Sequence, residues 1–346
     1  MVIKQTYKAD IVTVAKVAGV SPATVSRAMN HPDLVSPTTR KKIEKAVRKT
    51  GYIRNRAAQT MHGRRSATLG LVVPTVNYSI FAELVQSFND TVSDLGFTLL
   101  LATHNYDLRT EYRVIRKLLE HRVDGIALIG LDHSEDTYQL FKSQNVPVVA
   151  AWSYSDQSRI SCIGSDNREA GQVAARHILS LGHRRIGFIF PPTAENDRAR
   201  GRLDAAREVL REAGIDCPDA WAVQSLYSIA HAKAACQELL QRDQSLTALI
   251  CGNDVIAQGA IAAAMEQGLC IPQDISIIGI GDFVGSADSF PALTTVRIPA
   301  QEIGVRAGQD LVRSVADLES DQIVHFRFPV SLKARSTTAF ACSGTD

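Results

Sequence analysis

Between Thr68 and Ile280 the sequence carries seven short apolar runs, TLGLVV, TLLLA, GIALIG, VPVVAAW, IGFIF, TALIC and ISIIGI, separated by stretches with helical spacing. Runs of four to seven residues rich in Val, Ile and Leu, without polar alternation, fit strands buried on both faces, as in parallel sheets covered by helices. Ala82 to Leu95 and Glu111 to Arg122 read as two of the covering amphipathic helices. The runs form two sets, so the chain after Ala67 is expected to build two α/β lobes. Its 346 residues leave room for one further small domain ahead of them.

That leading segment differs in charge. Through Ala67 there are 14 lysines and arginines against three acids, a net +11; the remainder holds 24 against 33, a net −9. The overall +2 therefore conceals two opposed blocks. A small basic module ahead of an acidic body is the electrostatic footprint of a polyanion-binding head, because cationic side chains displace counterions condensed on phosphates.

From Asp10 the head reads DIVTVAKVAGVSPATVSRAMN, then VSPTTRKKIEKAVRKTGYIRNRAAQTMHG. Ile11, Val14, Ala15, Val17 and Ala18 share a helical face, Asp10 is placed to cap it, and Gly19 ends it. Ser21 followed by Pro22, and Ser36 by Pro37, are cap-and-first-turn pairs that open a second and a third helix, the latter stopping at Gly51. Three short helices with a glycine turn between the first two describe a helix-turn-helix unit.

These two segments, continued by ARSTTAF near the C-terminus, resemble the LacI family of bacterial transcriptional regulators over about residues 9 to 340. The resemblance implies an all-α helix-turn-helix headpiece (1–54), a hinge helix and linker (55–67), and an α/β two-lobed periplasmic-binding-protein-like body (68–346). It places the N-lobe at about 68–166 and 298–328 and the C-lobe at about 167–297 and 329–340. Base-reading positions fall on Pro22, Ala23 and Arg27. Arg27 suits a bidentate guanine contact, whereas Pro22 and Ala23 offer only apolar contact. Ser21, Thr24, Ser26 and Asn30 suit phosphate oxygens, with capping as an alternative or additional role for Ser21. Tyr52, Asn55 and Ala58 join the DNA-facing set, and Met61 stands where the family places an apolar minor-groove wedge, or else packs as a linker residue. Arg54 replaces a frequent proline.

In the body the resemblance implies a ligand cleft at the carboxyl ends of the strands. It brings Ile80, Phe81, Trp152, Arg200, Asn253, Gly281 and Asp282 to the effector site. Two departures from the family matter: Trp152 stands near a usual sugar-binding aspartate, and Gly281 replaces the first of two aspartates, of which Asp282 keeps the second. Losing carboxylates while keeping Arg200 favours an anionic effector, such as a sugar acid or another hydroxy acid. Trp152 either stacks on that ligand or fills the lobe.

Enzyme readings find little support. GIGDFVG has the wrong glycine spacing for a dinucleotide loop, which argues against an NAD-dependent oxidoreductase, and no G-x-S-x-G, H-E-x-x-H or Walker A sequence occurs. A pure solute-binding protein would explain the body but not the basic head. Six dispersed cysteines lack a C-x-x-C pair, and no cofactor or metal is expected. No apolar run reaches the roughly 18 residues of a membrane span, nor do the first residues resemble a signal peptide, so a cytoplasmic, nucleoid-associated protein is expected. Its expected partners are double-stranded DNA with a palindromic operator, a small effector and a second copy of the chain. The absence of a heptad tail points to a dimer.

Overall fold

The computed structural model describes residues 9–53, 65–76, 81–317 and 322–341. They divide between Ser66 and Ala67 into two compact units. In the first, helices α1 (Ile11–Ala18), α2 (Pro22–Asn30) and α3 (Pro37–Thr50) begin where Asp10, Ser21 and Ser36 accept hydrogen bonds from the amides of Thr13, Thr24 and Thr39. Each such cap is worth about 1 kcal/mol. Val14, Ala15, Val25, Ala28, Val35, Ile43 and Ala46 form the small core, with Ile11, Ala18, Met29 and Tyr52 packed around it. Val17, expected on the inner face, lies at its edge and is turned to solvent.

The second unit has two lobes. The first sheet comprises β1 (Thr68–Val73), β2 (Thr98–Thr103), β3 (Gly125–Ile129), β4 (Val148–Ser153), β5 (Ser161–Ser165) and β11 (His325–Phe328), parallel in the order β11-β5-β4-β3-β1-β2. Helices α4 (Ala82–Asp94), α5 (Leu108–Glu120), α6 (Glu135–Gln144) and α11 (Ala300–Ala316) belong to this lobe, α11 packing on α4 and on β3 to β5. The second sheet comprises β6 (Ile186–Phe190), β7 (Ala222–Gln224), β8 (Ala248–Cys251), β9 (Ser276–Gly281), β10 (Thr294–Arg297) and β12 (Ser331–Lys333), in the order β12-β10-β9-β8-β6-β7. Its strands are parallel except β12, which is antiparallel to β10. Helices α7 (Asn167–Ser180), α8 (Asp197–Glu212), α9 (Ile229–Arg242) and α10 (Asp254–Glu266) complete this lobe.

The chain passes between lobes after β5, after β10 and after β11. Central strands such as β3 and β6 are buried throughout, as two-sided helix cover demands. Helix α5 starts three residues before the expected Glu111 because the Asp107 carboxylate caps it, accepting from Thr110 N at 2.5 Å. Among the described residues no helix is long and apolar enough to cross a membrane.

Candidate DNA-binding face and ligand cleft

On α2, Ser21, Pro22, Ala23 and Arg27 are exposed. Ser21 Oγ accepts from Thr24 N at 3.1 Å and lies 2.8 Å from Thr24 Oγ1, so the cap engages both hydroxyls. Asn30 donates from Nδ2 to Ser26 O at 2.8 Å and to Ser26 Oγ at 3.2 Å, tying those half-buried residues to each other across the last turn. Tyr52 packs half-buried on the core of its unit. Asn55, Ala58 and Met61 of the expected hinge, and Ile80 of the expected effector site, lie outside the described residues.

In the second unit the loops at the carboxyl ends of both sheets face one another. A cavity of about 390 Å³ lies between them, lined by Thr75, Asn105 and Tyr106 from the first lobe and by Pro191, Asn196 and Tyr227 from the second. Helix α8 supplies several of the bonds that cross between lobes. Ser153 Oγ donates to Asp197 Oδ2 at 2.7 Å. Arg198 Nη1 donates to Ile129 O at 3.3 Å and to Asp197 Oδ1 at 2.8 Å. Arg200 Nη2 reaches both Asp132 oxygens, at 2.8 and 2.7 Å, while its Nη1 donates to Thr193 O. Tyr106 and Tyr227 stack across the gap with centroids 5.3 Å apart and planes at 23°.

Gly130, at the end of β3, makes the Arg198 contact possible. A Cβ there would stand 1.9 Å from Arg198 Nη1 and 2.6 Å from Asp197 Oδ1, and its φ of +91° is one that side-chain-bearing residues rarely adopt. Arg198 is buried. Burial works against its charge, but Asp197, the two tyrosines and Asp132 outweigh that penalty and raise its pKa.

For Arg202, one turn further along α8 and 4% exposed, the compensation falls short. Its Nε donates to Asn167 Oδ1 at 2.8 Å and its Nη1 to Gly252 O at 2.9 Å, both neutral acceptors. Burial, opposed by Tyr227, Asp197 and Asp254 and reinforced by the neighbouring Arg198 charge, brings its pKa down to about 10, so it remains a cation at neutral pH.

The residues singled out from sequence are distributed differently from expectation. Arg200, expected to hold a ligand, is committed to Asp132. Asp282, expected to accept from a ligand, is paired with Arg335 Nη2 at 2.6 Å. Gly281 does not simply leave space: a Cβ there would lie 2.3 Å from the Phe283 ring, which occupies the site where an aspartate side chain would begin. Trp152 is fully buried and meets Phe81 edge-on at 5.2 Å, filling its lobe. Asn253 caps α10 by accepting from Ile256 N at 2.9 Å, and its buried Nδ2 has no partner among the described residues. The neighbouring Asp254 accepts from Phe283 N, Ser286 Oγ and Thr295 Oγ1, fastening the loop after β9.

Sequence reading missed Arg198, Arg202, Tyr106 and Tyr227. A signal for Arg202 was present: together with Ala199, Ala206 and Leu210 it forms the inward stripe of α8, from which Arg200 is displaced.

A capped three-helix unit whose second helix leaves Pro22, Ala23 and Arg27 exposed, followed by a two-lobed body with a cavity between the lobes, fits the class of ligand-responsive DNA-binding regulators. The profile described as "Bacterial regulatory proteins, lacI family" matches residues 10–55, and that of the "Periplasmic binding protein-like domain" matches residues 175–338. The HTH-type transcriptional repressor PurR of Klebsiella pneumoniae subsp. pneumoniae is 30% identical over 86% of this chain and 88% of its own length, and the transcriptional regulator DegA of Bacillus subtilis is 31% identical over 89% and 91%. The lac repressor dimer bound to operator and the anti-inducer ONPF superposes with a TM-score of 0.83 at 26% identity, over 96% of this chain and 99% of that one. The chain belongs to the LacI family of bacterial DNA-binding transcriptional regulators.

Proposed function

We propose that the chain is a repressor switched by a small anion bound in the interlobe cleft, the class to which sugar acids and other hydroxy acids belong. The observation that carries this reading is Arg202. A guanidinium removed from water and bonded only to neutral acceptors bears a desolvation penalty of several kcal/mol, which an incoming carboxylate or phosphate offsets by charge-assisted hydrogen bonds. Arg198, one turn away, supports the same charge preference. The anion-holding role assigned from sequence to Arg200 passes to these two residues, while Asn253, with its unbonded amide nitrogen, stays in the site.

Residues 1–54 act as the headpiece, 55–67 as the hinge segment and 68–346 as the effector-binding and dimerising body, with no catalytic step. Ser21, Pro22, Ala23, Thr24, Ser26, Arg27 and Asn30 meet the operator, with Tyr52, Asn55, Ala58 and Met61 alongside. A dimer in the cytoplasm presents two recognition helices to half-sites about one helical turn apart. An effector that prefers one lobe angle changes the hinge spacing. A coupling of about 1 to 3 kcal/mol alters operator affinity roughly 5- to 150-fold.

The test is calorimetry on the full-length chain with gluconate, galacturonate and matched neutral sugars, beside Arg202→Gln. Anions should bind, and the variant should lose them. Binding by the neutral sugars alone would overturn the reading.

A further inference from the structure

The cavity at the ends of β1, β2, β6 and β7 lies at the start of α8. Asn196, which caps that helix two residues ahead of Arg198, lines the cavity together with its hydrogen-bond partner Tyr227. The character of the cavity is nevertheless unlike that of the arginine pair. The rings of Tyr106 and Tyr227, with Pro191, Pro192 and Leu226, give it apolar wall beside the polar Thr75, Asn105 and Asn196, and no lining residue is charged.

Its polar capacity is partly used within the protein. Asn196 donates from Nδ2 to Tyr227 Oη at 3.0 Å and to Pro192 O at 3.4 Å, and accepts at Oδ1 from Ala199 N. Asn105 and Tyr106 hold φ of 52° and 62°, consecutive left-handed residues without glycine's freedom, at the place where the Tyr106 ring meets Tyr227 from the other lobe.

We propose that the effector is an amphipathic anion: a carboxylate for Arg198 and Arg202, carried on a flat, largely apolar ring that lies against the Tyr106–Tyr227 stack. The proposal rests on the anionic reading of the cleft and narrows it. A ring releases water from tyrosine and proline carbon and gains the offset or edge contacts that aromatic faces favour. A sugar acid brings a row of hydroxyls into a chamber where Asn196 is already committed, and each hydroxyl left unpaired on losing water is destabilising.

Calorimetry on the full-length chain would compare benzoate and 4-hydroxybenzoate with propionate, gluconate, galacturonate and the neutral ring benzamide. The ring acids should bind roughly tenfold or more tighter than propionate or the sugar acids, and benzamide should bind weakly. Tyr106→Asn, whose new side chain tolerates left-handed backbone, should bring the benzoate-to-propionate affinity ratio towards one, whereas a misfolded variant loses both acids alike. Tyr227→Phe keeps the ring and should keep the ratio. Tighter binding of gluconate or galacturonate than of benzoate overturns the ring assignment while the anionic cleft stands. Benzamide binding as tightly as benzoate overturns the anionic cleft itself. No binding by either ring acid at concentrations up to about millimolar, a free energy near −4 kcal/mol, overturns the proposal.

Discussion

Gly130→Ala is the sharpest test of how the two lobes meet. The new methyl group cannot coexist with Arg198 Nη1 at 1.9 Å, so the guanidinium must withdraw from the carbonyl of Ile129 whenever the lobes adopt the observed arrangement. Two costs follow. The φ of +91° is strained for alanine by about 1 to 3 kcal/mol in any lobe arrangement, which lowers stability but leaves the lobe equilibrium unchanged. Loss of a hydrogen bond from a charged donor costs about 1.5 to 3 kcal/mol and falls only on the arrangement in which Arg198 reaches across. The second cost shifts the equilibrium roughly 10- to 150-fold towards more open lobes. Small-angle scattering should show a larger radius of gyration, and effector affinity measured by calorimetry should fall with it. The control is a double-mutant cycle with Arg198→Met, in which the methyl group has no guanidinium to displace and only the strain and the approach to Asp197 Oδ1 remain. An equal rise in the radius of gyration from Gly130→Ala in the Arg198→Met background would refute the reasoning, because the effect would then not come from displacing the guanidinium.

Two further perturbations address other parts of the molecule. His104 is buried, faces Glu111, Arg198 and His133, and has its pKa lowered to about 4, chiefly by burial. Since the folded value lies below the ordinary 6.5, its contribution of about 3 kcal/mol is fully present above pH 6.5 and is lost as pH falls towards 4. Urea unfolding between pH 7 and pH 4 should therefore show a shallower loss of stability in His104→Gln than in the parent chain. On the headpiece, Arg27→Ala should weaken an operator recovered by in vitro selection by about 1 to 3 kcal/mol and leave non-specific DNA binding nearly unchanged. Fluorescence anisotropy at several salt concentrations checks this. It should also give a log-log slope near −0.9 per phosphate neutralised for operator binding, with a far weaker salt dependence for effector binding.

Local chemistry made the headpiece legible. Asp10, Ser21 and Ser36 cap their helices because capping needs only a side-chain oxygen a few residues ahead of an amide, and that spacing is written in the sequence. The seven apolar runs likewise mark buried strands. Strand β5 escaped notice because SCIGS is small and polar at both ends, and β7, β10, β11 and β12 because three or four residues carry too little periodicity. The cleft was harder to read. Asp282 is neutralised by Arg335, 53 positions later in the chain, and Arg200 by Asp132 from the opposite lobe. No local pattern announces such pairings. They reverse the apparent availability of both groups, while Arg198 and Arg202 prove to be the buried cations.

The order of the strands gives the cleft a mechanical asymmetry. The chain crosses between lobes beside β5 and β11 in one sheet and beside β10 and β12 in the other, which lie at corresponding edges. Tyr106 follows β2 and Tyr227 follows β7, the strands at the far edges of the same sheets. Five strand spacings of roughly 4.8 Å separate one edge from the other, a lever arm of about 24 Å. A turn of about 10° at the crossings thus moves the tyrosine edges apart by roughly 4 Å, more than the thickness of an aromatic ring. The lobes act as a calliper with its pivot at one side, and a ligand gripped at the tips discriminates between angles too small to register near the hinge.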